Sequence, residues 1–132
     1  MKESEKLLDE EFRGLAFINL VDFDMLYGHR QDIDGYAGAL TAFDRFIGTF
    51  TKKLKKDDLL IITADHGCDP GDNSTDHTRE YVPLLITGAK ATPKNLGTLS
   101  GFGTVANLIS RSFGIDFKAE KSAKIYENIV IL

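Results

Sequence analysis

The sequence predicts an α/β fold with a mainly parallel sheet flanked by helices. Three observations point there. Residues 15–21 and 59–64 are two short, almost continuous apolar runs, as expected for strands buried on both faces. The stretch between them changes to apolar steps of three and four, the period of an amphipathic helix. A long helical crossover of this kind joins strands that run parallel.

The elements follow in order. Residues 2–12 are highly charged, with Leu7, Leu8 and Phe12 as the apolar positions, and read as a short, weakly amphipathic helix that Gly14 breaks. Residues 15–21 form the first predicted strand. The segment from Asp22 to Asp34 is polar and aspartate-rich and reads as a loop. From Ile33 the apolar positions run Ile33, Tyr36, Ala37, Leu40, Phe43, Ile47, Phe50 and Leu54, which predicts a helix of about five or six turns. Lys52, Lys53, Lys55 and Lys56 close it, where cations suit the negative end of the helix dipole. Asp57-Asp58 turns the chain into the second strand. Residues 65–80 form a second polar loop, and residues 81–87 a third strand, with Pro83 expected near its start or at an edge. A Gly/Thr/Asn/Ser-rich connection over 88–101 leads to a last helix over 102–113. Its apolar face is Val105, Leu108, Ile109 and Phe113, and Gly114 is its stop. The tail Ile129-Val130-Ile131-Leu132 reads as a short strand or a docking segment.

Composition narrows the functions. The chain of 132 residues suits a single domain spanning 1–132, and 42% apolar residues permit a real core. Lys plus Arg is 16 and Asp plus Glu is 20, so 16 − 20 gives −4, a poor balance for binding nucleic acid phosphates. One cysteine excludes an internal disulfide framework and any multi-cysteine zinc module. No apolar run approaches the ~20 residues of a membrane span. The charged start carries no apolar signal region, so a cytoplasmic location is expected.

Only three histidines are present, His29, His66 and His77, and all lie in the two polar loops. In open parallel sheets ligands sit beyond the carboxyl ends of the strands, so the two loops should meet in space. Asp65-His66 ends a buried strand, where an ionisable pair is costly unless compensated. A divalent metal would compensate it, and mixed carboxylate and imidazole donors suit Zn, Mn or Fe better than Ca or Mg alone. Two such ions would suit phosphoryl transfer. For Asp22, Asp32, Asp34, Asp69, Asp72 and Asp76, capping, turn formation and support of ligands are the better expectations. Cys68 is better read as a small space-filling side chain than as a nucleophile.

Five segments then carry a resemblance. Asn19-Leu20-Val21-Asp22-Phe23-Asp24, Tyr27-Gly28-His29-Arg30, Asp65-His66-Gly67-Cys68-Asp69-Pro70, Ser74-Thr75-Asp76-His77 and Arg79-Glu80-Tyr81-Val82-Pro83-Leu84-Leu85 closely resemble phosphopentomutase, of the alkaline phosphatase superfamily. The resemblance covers about Gly14 to Ile115. It implies a parallel-sheet core with a bimetal site, in which Asp24, His29 and His77 hold one Mn²⁺ and Asp65 and His66 hold the other. It further implies interconversion of ribose or deoxyribose 1-phosphate and 5-phosphate in nucleoside salvage, through a phosphothreonine enzyme with a sugar 1,6-bisphosphate activator.

Family members are about three times as long. Their nucleophile-bearing N-terminal strand, one further metal aspartate and the cap domain all precede the matched region. The chain thus resembles a C-terminal segment of the metalloenzyme core, expected to be inactive alone. A non-catalytic assembly or metal-binding module, self-associating through exposed sheet, and a generic metal phosphatase are the alternatives.

Overall fold

The structure is a computed structural model that describes residues 1–117; the tail at 129–132 lies outside the described residues. In chain order the elements are α1 (Lys2–Lys6), a π-helical turn (Phe23–Gly28), α2 (Ile33–Phe50), a 3₁₀ turn (Thr51–Lys53), β1 (Leu60–Thr63), β2 (Leu84–Thr87) and α3 (Gly103–Ser112). They fall into two compact units. One comprises Met1–Lys55 with Leu60–Ile86, and the other Lys56–Leu59 with the residues from Thr87 on.

The first unit is organised by α2. Asp32 caps its N-terminus, its carboxylate accepting from the Gly35 N–H at 2.9 Å. Such a cap is worth about 1 kcal/mol. The apolar steps become an aromatic file: Phe23 packs edge-on against Tyr36 and Phe43 at centroid distances of 5.6 and 6.1 Å, and Phe46 meets Phe50 at 5.3 Å. Phe50 is buried, whereas Ile33 and Leu40 on the predicted stripe stay exposed. The helix passes into the 3₁₀ turn at the lysine cluster. There Lys53 pairs with Glu5 at 3.2 Å and Lys55 donates to the Glu10 carbonyl at 2.9 Å, which anchors the N-terminal segment.

The first predicted strand is not formed. Residues 15–21 carry no strand, and Leu15, Phe17, Ile18 and Val21 are exposed, Phe17 at 85%. An apolar run becomes a strand only where a neighbour takes up its backbone hydrogen bonds. Among the described residues the sheet has two strands, β1 beside β2, and neither pairs with this run. The parallel pairing expected between 15–21 and 59–64 is therefore absent among the described residues. The two later strands fall where expected, and Pro83 directly precedes β2, where a missing N–H costs nothing to the ladder. The loop expected over Asp22–Asp34 also contains more order than foreseen, since Phe23–Gly28 winds as a π-helical turn.

In the second unit, Leu108 of α3 is fully buried together with Thr104, Asn107 and Ser110. Ser110 satisfies its hydroxyl on the Ala106 carbonyl at 2.7 Å. Phe113, expected on the same face, is exposed at the helix end, and Gly114 stops the helix at φ +65°. Lys90 pairs with Asp57 at 2.6 Å and holds its carboxyl below the ordinary carboxylate range.

Candidate metal centre

The π-helical turn places Asp24 and His29 together. Winding with an extra residue per turn is uncommon and recurs at functional sites. Here the His29 N–H donates to the Asp24 carbonyl at 2.9 Å, and Asp32 N–H donates to the Tyr27 carbonyl at 2.9 Å. The second loop closes on itself differently. Gly67 and Thr78 form an isolated antiparallel bridge, with Thr78 N–H donating to the Gly67 carbonyl at 3.2 Å. His66 and His77 each sit one residue from a bridge position. Their rings stack at 3.6 Å between centroids, nearly parallel at 17°.

The two loops meet at Asp24. One ligand atom each from Asp24, His29 and His77 lie within 4.8 Å of one another. His29 Nε2 is 3.4 Å from Asp24 Oδ2, and His77 Nε2 is 3.4 Å from Asp24 Oδ1. His66 Nε2 lies slightly farther from Oδ1, at 3.9 Å, and 3.6 Å from the carboxylate of Asp65. The Asp65 side chain is 86% exposed. Of the five residues singled out in the sequence, the structure thus gathers Asp24, His29 and His77 into one cluster. It sets His66 against that cluster, and leaves Asp65 beside His66 on the solvent side.

The hydrogen bonds of this cluster bear on what it can hold. His29 Nδ1 meets the Thr75 carbonyl, and His66 Nδ1 meets the Gly67 carbonyl at 3.0 Å. A carbonyl oxygen only accepts, so in both rings Nδ1 is the donor, and Nε2 is the ring atom turned toward Asp24. The Nε2 atoms of His66 and His77 lie nearest Asp24 Oδ1, which is buried and accepts no hydrogen bond among the described residues. A buried carboxylate oxygen with no donor is costly until something positive lies beside it. Carboxylate and imidazole donors are the chemistry of a divalent transition metal, and each carbonyl fixes the tautomer such an ion requires.

The surroundings are electronegative as well. Burial, followed by the charges of Asp24, Glu80 and Asp69, pushes the Cys68 thiol up. Burial, followed by Cys68, Asp24 and Glu80, does the same to the Tyr36 phenol. A thiol held in that form is a poor nucleophile, in keeping with a packing role for Cys68.

Other aspartates build the turns. Asp69 accepts from the Gly71 N–H at 2.8 Å and Asp72 from the Ser74 N–H at 2.8 Å. Three supporting residues escaped the sequence reading. Thr78 takes the Asp69 N–H on its hydroxyl at 2.7 Å and donates to Glu80, which steadies the bridge. Gly28 is buried with the Cys68 sulfur against it. Gln31 reaches across to the Asp72 carbonyl at 2.7 Å. Of these, only Gly28 had a visible signal, a glycine within an otherwise bulky loop segment.

The profile of the metalloenzyme superfamily matches residues 1–117. The phosphopentomutase of Acetivibrio thermocellus is 57% identical over 112 residues, covering 84% of this chain and 29% of that protein. The phosphopentomutase of Lachnoclostridium phytofermentans is 44% identical over 128 residues, covering 96% of this chain and 33% of that protein. That of Carboxydothermus hydrogenoformans is 54% identical over 111 residues, covering 83% and 29%. The chain thus spans about a third of the length of the curated relatives it matches, and the resemblance read from its motifs is to proteins of that name. A profile match across the described residues, together with a carboxylate ringed by imidazoles, gives the assignment: the chain belongs to the metalloenzyme superfamily.

Proposed function

We propose that this chain provides the histidine-rich part of the metal centre of a phosphopentomutase. In that reading Asp24, His29 and His77 hold one Mn²⁺, and Asp65 and His66 contribute to a second. The single observation that carries it is the buried, unpaired Asp24 Oδ1 facing the Nε2 atoms of His66 and His77 at 3.9 and 3.4 Å. Similarity to phosphopentomutases across most of the chain supports the reaction class. The substrate would be a pentose phosphate, exchanged between its 1- and 5-positions in nucleoside salvage in the cytoplasm, with a sugar 1,6-bisphosphate as activator.

A divalent ion, when bound, neutralises the charge of phosphate oxygens and so favours phosphoryl transfer. The chain's own residues prepare for that. Asp24 supplies the negative charge that holds the ion. Thr75 and Gly67 keep His29 and His66 in the tautomer that offers Nε2. Asp65, exposed beside His66, would join the second ion from the solvent side. The apolar run 15–21 belongs, in this reading, to a parallel sheet whose neighbouring strands come from the remaining two thirds of a phosphopentomutase. Among the described residues no helix is long and apolar enough to cross a membrane.

None of the chain's threonines lies in the family's nucleophile context, so the purified 132-residue chain should show no mutase turnover with ribose 1-phosphate and Mn²⁺. A coupled assay for ribose 5-phosphate checks this. Robust conversion would mean that some other group in this chain accepts the phosphoryl group, and would overturn the division of labour proposed.

A further inference from the structure

Gln31 is the one non-glycine residue among the described residues with a positive φ, at +53°. A residue with a β-carbon is strained there, whereas glycine adopts the conformation freely. The backbone at this position therefore favours glycine, and the glutamine side chain must supply something in return.

What it supplies is a bridge between the two loops. Its Nε2 donates to the Asp72 carbonyl at 2.7 Å and lies 3.5 Å from the Ser74 carbonyl. The receiving segment is already folded by the turns at Asp69 and Asp72, so it presents those carbonyls at a defined place. Two residues earlier, the His29 ring meets the Thr75 carbonyl. The first loop thus grips residues 72–75 at two points, one a ring of the cluster and the other Gln31. His77 follows that gripped segment by two residues, and its ring lies 5.0 Å from that of His29.

We propose that Gln31 is a positioning residue of the metal centre: its amide, held by the strained backbone, sets the separation of His29 and His77. The proposal rests on the reading of Asp24, His29 and His77 as ligands of one ion. It assigns Gln31 a role in affinity and not in folding.

The two roles separate in the variant Gln31→Gly, which removes the strain and the amide together. Its melting temperature without metal should equal or exceed that of the parent chain, because glycine suits the backbone. Its Mn²⁺ affinity, read by titration with electron paramagnetic resonance, should fall about tenfold, the scale seen when support of a ligand is lost. Gln31→Glu keeps the length but cannot donate, and should lose affinity likewise. His77→Ala serves as the reference for loss of a ligand. If His77→Ala loses affinity while both Gln31 variants bind as the parent does, the Gln31 role is overturned and the site stands. A fall in both melting temperature and affinity in Gln31→Gly also overturns it, since that is general loosening. Unchanged affinity in His77→Ala overturns the site itself and this inference with it.

Discussion

Replacing Asp24 by asparagine should abolish Mn²⁺ binding while leaving the metal-free chain at least as stable as before. The two effects have opposite signs for one physical reason. In the parent chain, Asp24 Oδ1 is buried without a donor, and the Nε2 atoms of His66 and His77 face it. An asparagine amide in the same place can donate to Nε2 of His77 or His66, which stand at 3.4 and 3.9 Å from Oδ1. One neutral hydrogen bond gained there is worth about 1 kcal/mol. The charge that attracts the cation is lost at the same time, and with it the anionic ligand. A ligand at 100 times its dissociation constant stabilises the folded chain by about 2.7 kcal/mol. The parent chain should therefore melt higher when Mn²⁺ is added, and Asp24→Asn should not respond. A metal-induced shift that survives in Asp24→Asn would remove Asp24 from the site.

The second large effect is expected at Gly28. This residue is buried, and a β-carbon added to it would run into the Cys68 sulfur and come within 3.1 Å of the Phe23 carbonyl oxygen. The turn carrying Asp24 and His29 and the loop carrying His66 would be pushed apart at the point where they touch. Overpacking of this sort costs about 1–3 kcal/mol. Gly28→Ala should lower the melting temperature and weaken Mn²⁺ binding together. Removing the sulfur relieves the main clash, so Gly28→Ala with Cys68→Ala should recover much of the loss. The two substitutions share a contact and their costs should not add. Additive costs, measured by denaturant unfolding of both single variants and the double one, would show that Cys68 does not pack against this glycine.

The helix at Ile33–Phe50 and the position of all three histidines in two loops were legible because both depend on local sequence. Apolar steps of three and four wind a helix whichever neighbours it has, and Asp32 caps it from within the same segment. β1 and β2 were legible too, since each pairs with the other within the chain. Residues 15–21 show the opposite case. Their apolar content states what the side chains require, but a strand also requires a partner, and none is supplied among the described residues. The π-helical turn at Phe23–Gly28 was hidden for another reason. Its extra residue per turn has no composition of its own, and Asp24 and Gly28 suggested a loop. Gln31 was invisible because nothing in its neighbourhood announces a left-handed residue where no glycine stands. The sequence thus singled out the residues that the two loops bring near one another, while the contacts that hold those loops together needed coordinates.

Asp24, His29 and His77 are proposed to form one cation site within this chain. The direct test is a titration of the metal-free 132-residue chain and of His77→Ala with Mn²⁺, following the free ion by electron paramagnetic resonance. The parent chain should take up one ion at its tighter site, and His77→Ala should bind it more than about tenfold more weakly, since losing a ligand costs at least what losing a ligand's support does. Equal uptake by the two proteins would contradict the account, because the ion would then be held somewhere that His77 does not reach.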